Sequence, residues 1–257
     1  MTRWRGLVWW SLRRIREGIT PFLPRRLLDA LTRFGLRQQR RLFARLDVQE
    51  AFERVYAENA WGGALGDFDS GDGSLDATTE SYVAMVKAFI GEHGVRSVVD
   101  LGCGDFRVGR KLVGSVPRFV GVDIVPGVIE RNRRAFPEVE FRCSNLISDE
   151  LPDAELGLLR QVLQHLSNGE IERVLENCRR YQYLIVTEHL PLASDVVPNR
   201  DKPHGPDTRV VDRSGVFLDA PPYTLPVRTL LEKPLSPGEV LRSVLVSQPE
   251  RDPAHST

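Results

Sequence analysis

The chain has 257 residues, 41% hydrophobic and 27% charged, with a formal net charge of zero. That length suits one large domain with an appendage, and the composition excludes a wholly disordered, collagen-like or disulfide-stapled chain. No stretch approaches the roughly 20 apolar residues that a membrane-spanning helix needs. Cys103, Cys143 and Cys178 contain no CxxC pair, and an odd set of thiols reads as free cysteines in a reducing, cytoplasmic compartment.

The zero net charge hides an asymmetry. Residues 1–45 hold twelve arginines against two acids, Glu17 and Asp29, so the rest of the chain is acidic. Trp4, Trp9 and Trp10 sit among those arginines, and tryptophan beside arginine is the composition of a helix lying in a membrane interface. Two readings stay open: peripheral contact of residues 1–24 with the inner membrane face, or a basic arm packed on its own acidic body. The run Leu7–Trp10 is too short, and lacks the small-residue site, for a secretory signal.

In chain order, Pro21 and Pro24 break a first helical stretch. The spacing of Leu27, Leu28, Leu31, Phe34, Leu42, Phe43 and Leu46 predicts a second helix from about Arg25 to Tyr56. Residues 1–58 thus read as a basic helical N-terminal extension. Residues 59–78 are glycine-rich and read as a lid loop. Helical spacing resumes over 79–91 with Tyr82, Val83, Val86, Phe89 and Ile90. Strands then alternate with helices: strands at 97–101, 119–124, 139–142, 156–159 and 183–187, helices at 108–113, 127–136 and 169–181. That grammar implies a parallel sheet covered on both faces. A long Pro- and Asp-rich loop covers 190–223. Two strand-like runs, 227–231 and 241–247, are joined briefly enough to be antiparallel. The domain spans 79–248, and 249–257 is a polar tail.

The strongest chemical signal is the strand–turn–helix Val98-Val99-Asp100-Leu101-Gly102-Cys103-Gly104-Asp105-Phe106. Glycines at the carboxyl end of a first strand let a ligand approach the backbone closely. The third glycine of a dinucleotide motif is absent, and Asp105 with Phe106 is a poor neighbour for a pyrophosphate. The turn suits a ligand with a cationic, phosphate-free end. Asp123 closes the second strand 23 residues after Asp100, a distance that places an acid on ribose hydroxyls. Asn145 and Leu146 follow the third strand, within reach of an adenine. S-adenosylmethionine satisfies all three requirements.

With these motifs and Leu158-Leu159-Arg160-Gln161-Val162-Leu163-Gln164-His165-Leu166, the sequence from about Val95 to Ser247 resembles the class I S-adenosylmethionine-dependent methyltransferases, bacterial small-molecule and saccharide-type members included. The resemblance implies an α/β fold: a doubly wound, mostly parallel seven-stranded sheet with an antiparallel last strand, here carrying the N-terminal helical extension. It implies a cofactor site of Asp100, Leu101, Gly102, Cys103, Gly104, Asp123, Ile124, Asn145, Leu146, Leu159 and Arg160. The stretch Asn59-Ala60-Trp61-Gly62-Gly63 with Ser70-Gly71-Asp72-Gly73-Ser74 resembles a leader of bacterial members that folds over the ligands. Where some members carry Glu-x-x-Glu-His after the fourth strand, this chain has Gln161 and Gln164, which removes the charge that a hard cation needs, so no metal is expected.

Methyl transfer needs a base only when the acceptor must lose a proton. His165 is the first candidate, Glu188 and His189 at the end of the fifth strand the second. Trp61, Gln161, Asp201, Lys202 and Tyr223 are candidate acceptor contacts. The expected activity is methylation, on oxygen, of a small molecule or saccharide. The acidic body argues against nucleic acid. A protein or RNA acceptor, and a catalytically silent cofactor-binding scaffold, are the alternatives. The oligomeric state is not legible.

Overall fold

The computed structural model describes residues 25–62, 68–71, 73 and 76–247. The arm 1–24, the tail 249–257 and part of the glycine-rich lid lie outside the described residues.

Two helices precede the sheet, α1 (Arg25–Phe43) and α2 (Val48–Ala57). The single helix expected over this stretch is divided because Asp47 caps a new start. Its carboxylate accepts the Glu50 amide, and the Glu50 side chain accepts the Asp47 amide, a reciprocal capping box. Helix α3 (Asp76–His93) follows and buries Tyr82, Val83, Val86, Phe89 and Ile90.

The sheet comprises β1 (Ser97–Leu101), β2 (Arg118–Asp123), β3 (Glu140–Cys143), β4 (Leu156–Arg160), β5 (Tyr183–Pro191), β6 (Val227–Ser236) and β7 (Glu239–Val246). Its order is β3-β2-β1-β4-β5-β7-β6. β1 to β5 pair in parallel, and β7 runs antiparallel between β5 and β6. The expected seven-stranded α/β sheet is therefore present. Helices α4 (Pro126–Ala135) and α5 (Asn168–Asn177) complete the crossovers. Ser167 caps α5 through a second capping box with Glu170.

Each central strand is apolar on both sides because both faces are covered. Val98, Leu156, Leu158 and Ile185 pack with Phe89, Phe106, Phe119 and Ile129 on one face. Val99, Leu101, Val122, Leu159 and Val186 pack with Ile171, Val174 and Tyr181 on the other.

Three local expectations are corrected. The helix expected at 108–113 is a pair of 3₁₀ turns, Gly109–Lys111 and Val113–Ser115. A Cβ on Gly109 would stand 2.3 Å from the Phe106 ring, so the chain is pressed onto the core there. Strand β5 continues past Thr187 to Pro191, because Glu188 and His189 pair in register with Arg242 and Leu241 of β7. The hairpin between β6 and β7 is shorter than expected, turning at Pro237-Gly238 with Gly238 at φ 85°.

The 190–223 loop is packed rather than solvated. Arg209 is 1% exposed and donates to the Leu166 and Arg200 carbonyls and to Asn168 Oδ1. Asn199 Nδ2 donates to the Phe217 and Pro221 carbonyls. The loop is hooked to the N-terminal helices. Arg40 pairs with Asp207 at 2.8 Å and with Asp212, and His204 lies between the Leu46 carbonyl at 3.2 Å and Glu170 at 2.7 Å.

The His204–Glu170 pair makes stability depend on pH. The hydrogen bond to Glu170 raises the His204 pKa. Burial would raise Glu170, but hydrogen bonds from His204 and Ser167 hold it down to about 2. The histidine contribution is full below its unfolded pKa of about 6.5 and is lost as pH rises through the raised folded value. The glutamate contribution is full above about 4.5 and is lost as pH falls through about 2. The pair therefore stabilises most between about pH 5 and 6.5. Replacing His204→Gln should lower stability in that window by about 1–2 kcal/mol and flatten its decline above pH 6.5, read by denaturant titration across pH.

Candidate functional site

The carboxyl ends of β1, β2 and β4 open into a cavity of about 300 Å³. Its floor is the glycine turn after β1. Gly102 has φ 78° and Gly104 φ 51°, conformations suited to glycine. A Cβ at Gly102 would stand 2.5 Å from Val162, and one at Gly104 2.3 Å from the Ser70 hydroxyl. Both positions are thus closed to side chains by packing as well as by backbone.

Asp123 holds this turn. Its Oδ2 accepts the Gly104 amide and its Oδ1 the Val125 amide, each at 3.0 Å. Each oxygen keeps a lone pair for a further donor. Burial raises the Asp123 pKa, and the backbone amides oppose that rise. Asp100 lies beside it, 8% exposed. Burial pushes its carboxyl up to about 7, with repulsion from Asp123 and Asp105 adding to the effect and the attraction of Arg160 opposing it. Three carboxylates around one cavity favour a cationic guest.

The cover comes from the chain's front. Val48, Phe52 and Tyr56 of α2 and Trp61 line the cavity. The Tyr56–Trp61 and Trp61–His165 ring centroids are 5.3 and 5.0 Å apart. Trp61 Nε1 donates to the Pro206 carbonyl at 3.0 Å. The Ser70 hydroxyl accepts the Asp105 amide at 2.9 Å, the Ser70 amide donates back to the Asp105 carboxylate at 3.1 Å, and Tyr56 Oη meets the hydroxyl at 3.1 Å. Arg160 donates to the Gly73 carbonyl at 2.7 Å and lies 5.2 Å from the Tyr82 ring centroid.

His165 is 8% exposed and sits at the rim of this chamber. Its Nδ1 lies 3.2 Å from the Gly205 carbonyl. A carbonyl only accepts, so Nδ1 carries the proton and Nε2 is bare. The Gln164 Nε2 amide donates to that bare nitrogen at 3.3 Å. Burial, with the nearby Lys202 charge, pushes the imidazole down to about 3, so it is neutral at physiological pH. The amide orientation that this tautomer imposes leaves the buried Gln164 Oε1 without a partner among the described residues; Arg160 Nε is in the same state.

Of the residues picked from sequence, Asp100, Gly102, Cys103, Gly104, Asp123, Ile124, Asn145, Leu146, Arg160, Trp61, Gln161 and His165 line the cavity. Leu101 and Leu159 are fully buried in the core behind it. Five others lie elsewhere. Glu188 accepts the Leu163 and Gln164 amides at 2.9 and 3.1 Å, and burial raises its pKa to about 8. His189 pairs with Glu239 across β7 at 3.0 Å. The length of β5 explains both, since they stand within a paired strand instead of beyond its end. Asp201 accepts the Asn168 amide at the start of α5. The Lys202 ammonium is buried against Asp207 and the Pro203 carbonyl, and burial lowers it to about 8. Tyr223 donates to Asn168 Oδ1. These three brace the 190–223 loop.

Sequence reasoning treated Val48 and Phe52 as extension and passed over Val108, Ile147, Pro206 and Thr208, all of which line the cavity. The signal available was the aromatic pair Phe52 and Tyr56, one helical turn apart.

Residues 98–182 match the family model described as a methyltransferase domain. No curated protein matches the sequence. Among solved structures, the N-methyltransferase NodS of Bradyrhizobium japonicum in complex with S-adenosyl-L-homocysteine is similar at a TM-score of 0.51 and 12% identity, over 68% of this chain and 89% of that one. Magnesium protoporphyrin IX methyltransferase (ChlM) of Synechocystis PCC 6803 with bound SAM is similar at 0.51 and 15% identity, over 79% and 98%. At these identities the likeness is one of fold.

The Asp100 environment is directly testable. Its folded pKa lies above the unfolded value, so ionising it costs the fold, and stability falls as pH rises from about 4 through about 7. In ligand-free protein, Asp100→Asn should be more stable than wild type at pH 8, by up to about 4 kcal/mol, with little difference at pH 4 in matched denaturant titrations.

Proposed function

We propose, from the match of residues 98–182 to a methyltransferase-domain family model, that the chain is a class I S-adenosylmethionine-dependent methyltransferase that transfers a methyl group to an oxygen of a small-molecule or saccharide acceptor. The observation that carries the cofactor part is the Asp123 carboxylate, tied by the Gly104 and Val125 amides at the cavity floor with lone pairs to spare. When bound, S-adenosylmethionine supplies the methyl group on a sulfonium sulfur that leaves as a thioether.

The chain's own residues then hold and orient. Gly102 and Gly104 leave the backbone open to the ligand. Asp123 takes the ribose hydroxyls. Ile124, Asn145 and Leu146 border the adenine. Asp100 balances the ammonium end. Phe52, Tyr56 and Trp61 exclude water and give an acceptor ring a face to stack on. Gln164 Oε1, buried without a partner among the described residues, receives a hydrogen bond from the acceptor's hydroxyl, and His165 fixes the amide that presents it. His165 is a positioning residue in this reading, because an imidazole lowered to about 3 is a poor base, and the hydroxyl's proton passes to solvent water at the cavity mouth as its oxygen takes the methyl group. That same neutral imidazole favours a second reading, an amine acceptor, which reaches the sulfonium without a base.

Calorimetric titration with S-adenosylmethionine and its demethylated product tests the cofactor. Wild type should bind saturably, and Asp123→Ala should weaken binding about 100-fold or more, the worth of two charge-assisted hydrogen bonds. Folded wild type that binds neither compound overturns the proposal and leaves a scaffold. With an acceptor found by transfer of labelled methyl, Gln164→Leu should lower kcat/KM about tenfold or more at unchanged cofactor affinity.

A further inference from the structure

The apolar residues of α1 recur at helical spacing, and the described side chains show which way they face. Gln39 and Phe43 are buried at 8% and 4%, and Arg40 reaches inward to Asp207 and Asp212. Leu27, Leu31 and Phe34 are 46%, 54% and 56% exposed. At about 100° per residue those three fall within roughly 60° of one another, on the side of the helix away from Phe43. Three large apolar side chains in a line on a solvent-facing helix form a patch and not scattered exposure.

The charges around the stripe are of one sign. α1 has six arginines and one acid, Asp29. Arg33, Arg37 and Arg41 are exposed. A partner for this face must offer apolar depth and negative charge in one plane. A nucleic acid supplies the charge but no depth for Leu31 and Phe34. An anionic lipid surface supplies both.

We propose that α1 is a membrane-surface helix, lying on anionic lipid with Leu27, Leu31 and Phe34 inserted and its arginines at the headgroups. Its inner side stays latched through Arg40 to the loop whose Pro206 and Thr208 line the cavity. One helix thus faces lipid on one side and is tied to the cavity wall on the other. The docking itself does not rest on the methyl-transfer reading.

The test is flotation of the full chain with vesicles of phosphatidylglycerol and phosphatidylcholine, beside pure phosphatidylcholine. Wild type should float with the mixed vesicles, far less with the neutral ones, and less at high salt. Leu31→Asp/Phe34→Asp should cut the bound fraction about tenfold or more, with the circular-dichroism spectrum and thermal midpoint unchanged because both side chains are exposed. Wild type that stays at the bottom of the gradient overturns the proposal. So does a double variant that floats like wild type while Trp9→Ser/Trp10→Ser does not, since residues 1–24 would then be the anchor. Tight RNA binding without flotation assigns the arginines to nucleic acid and also overturns it.

Discussion

The site depends on one carboxylate held by two backbone amides. Asp123 ends β2, and its oxygens take the amides of Gly104, from the turn after β1, and of Val125, at the entry to α4. A single side chain therefore ties three elements at the carboxyl edge of the sheet. The remaining glycine-turn contacts follow from this tie. Asn132 of α4 donates to the Gly104 carbonyl at 2.7 Å, and Asp105 is carried to where Ser70 meets it. Because the bonds come from backbone, the carboxylate can be buried without a counter-cation in contact, at the cost of the raised pKa that burial brings.

Around that edge lie polar groups that the fold leaves incompletely served. Asp100 is held near neutrality of charge by burial. Arg160 Nε and Gln164 Oε1 have no partners among the described residues. Elsewhere Asn199 and Glu188 are paired, while Ser81 Oγ, Arg180 Nε and Arg209 Nε are also buried without partners among the described residues.

Much of this was legible before any coordinates. Alternating apolar strands and helical spacing lead to the sheet, and Gly102, Gly104 and Asp123 lead to its working edge, because these depend on local backbone chemistry. The length of β5 was not legible. Glu188 and His189 are polar, yet they continue a strand because β7 lies beside them, a partner more than 50 residues away in sequence. Nor was the direction of α1's stripe, since helical periodicity tells which residues share a face and not which way that face turns. Asp201, Lys202 and Tyr223 looked like loop groups free to meet an acceptor. They are committed to Asn168 and Asp207 instead, through contacts that only the folded loop creates.

The hooks between the front of the chain and the 190–223 loop have a kinetic meaning. Arg40–Asp207, Trp61–Pro206 and Leu46–His204 join residues 167, 145 and 158 positions apart. Contacts of such separation carry a large closure entropy and form after the nearer strand pairings. They are also few, and they lie outside the sheet's two apolar layers. The roof of the cavity is accordingly a unit that opens below the free energy of global unfolding, while β1 to β5 stay paired beneath it. Guest entry and release can use that partial opening, and in amide exchange the roof and the sheet would be two separate populations of protons.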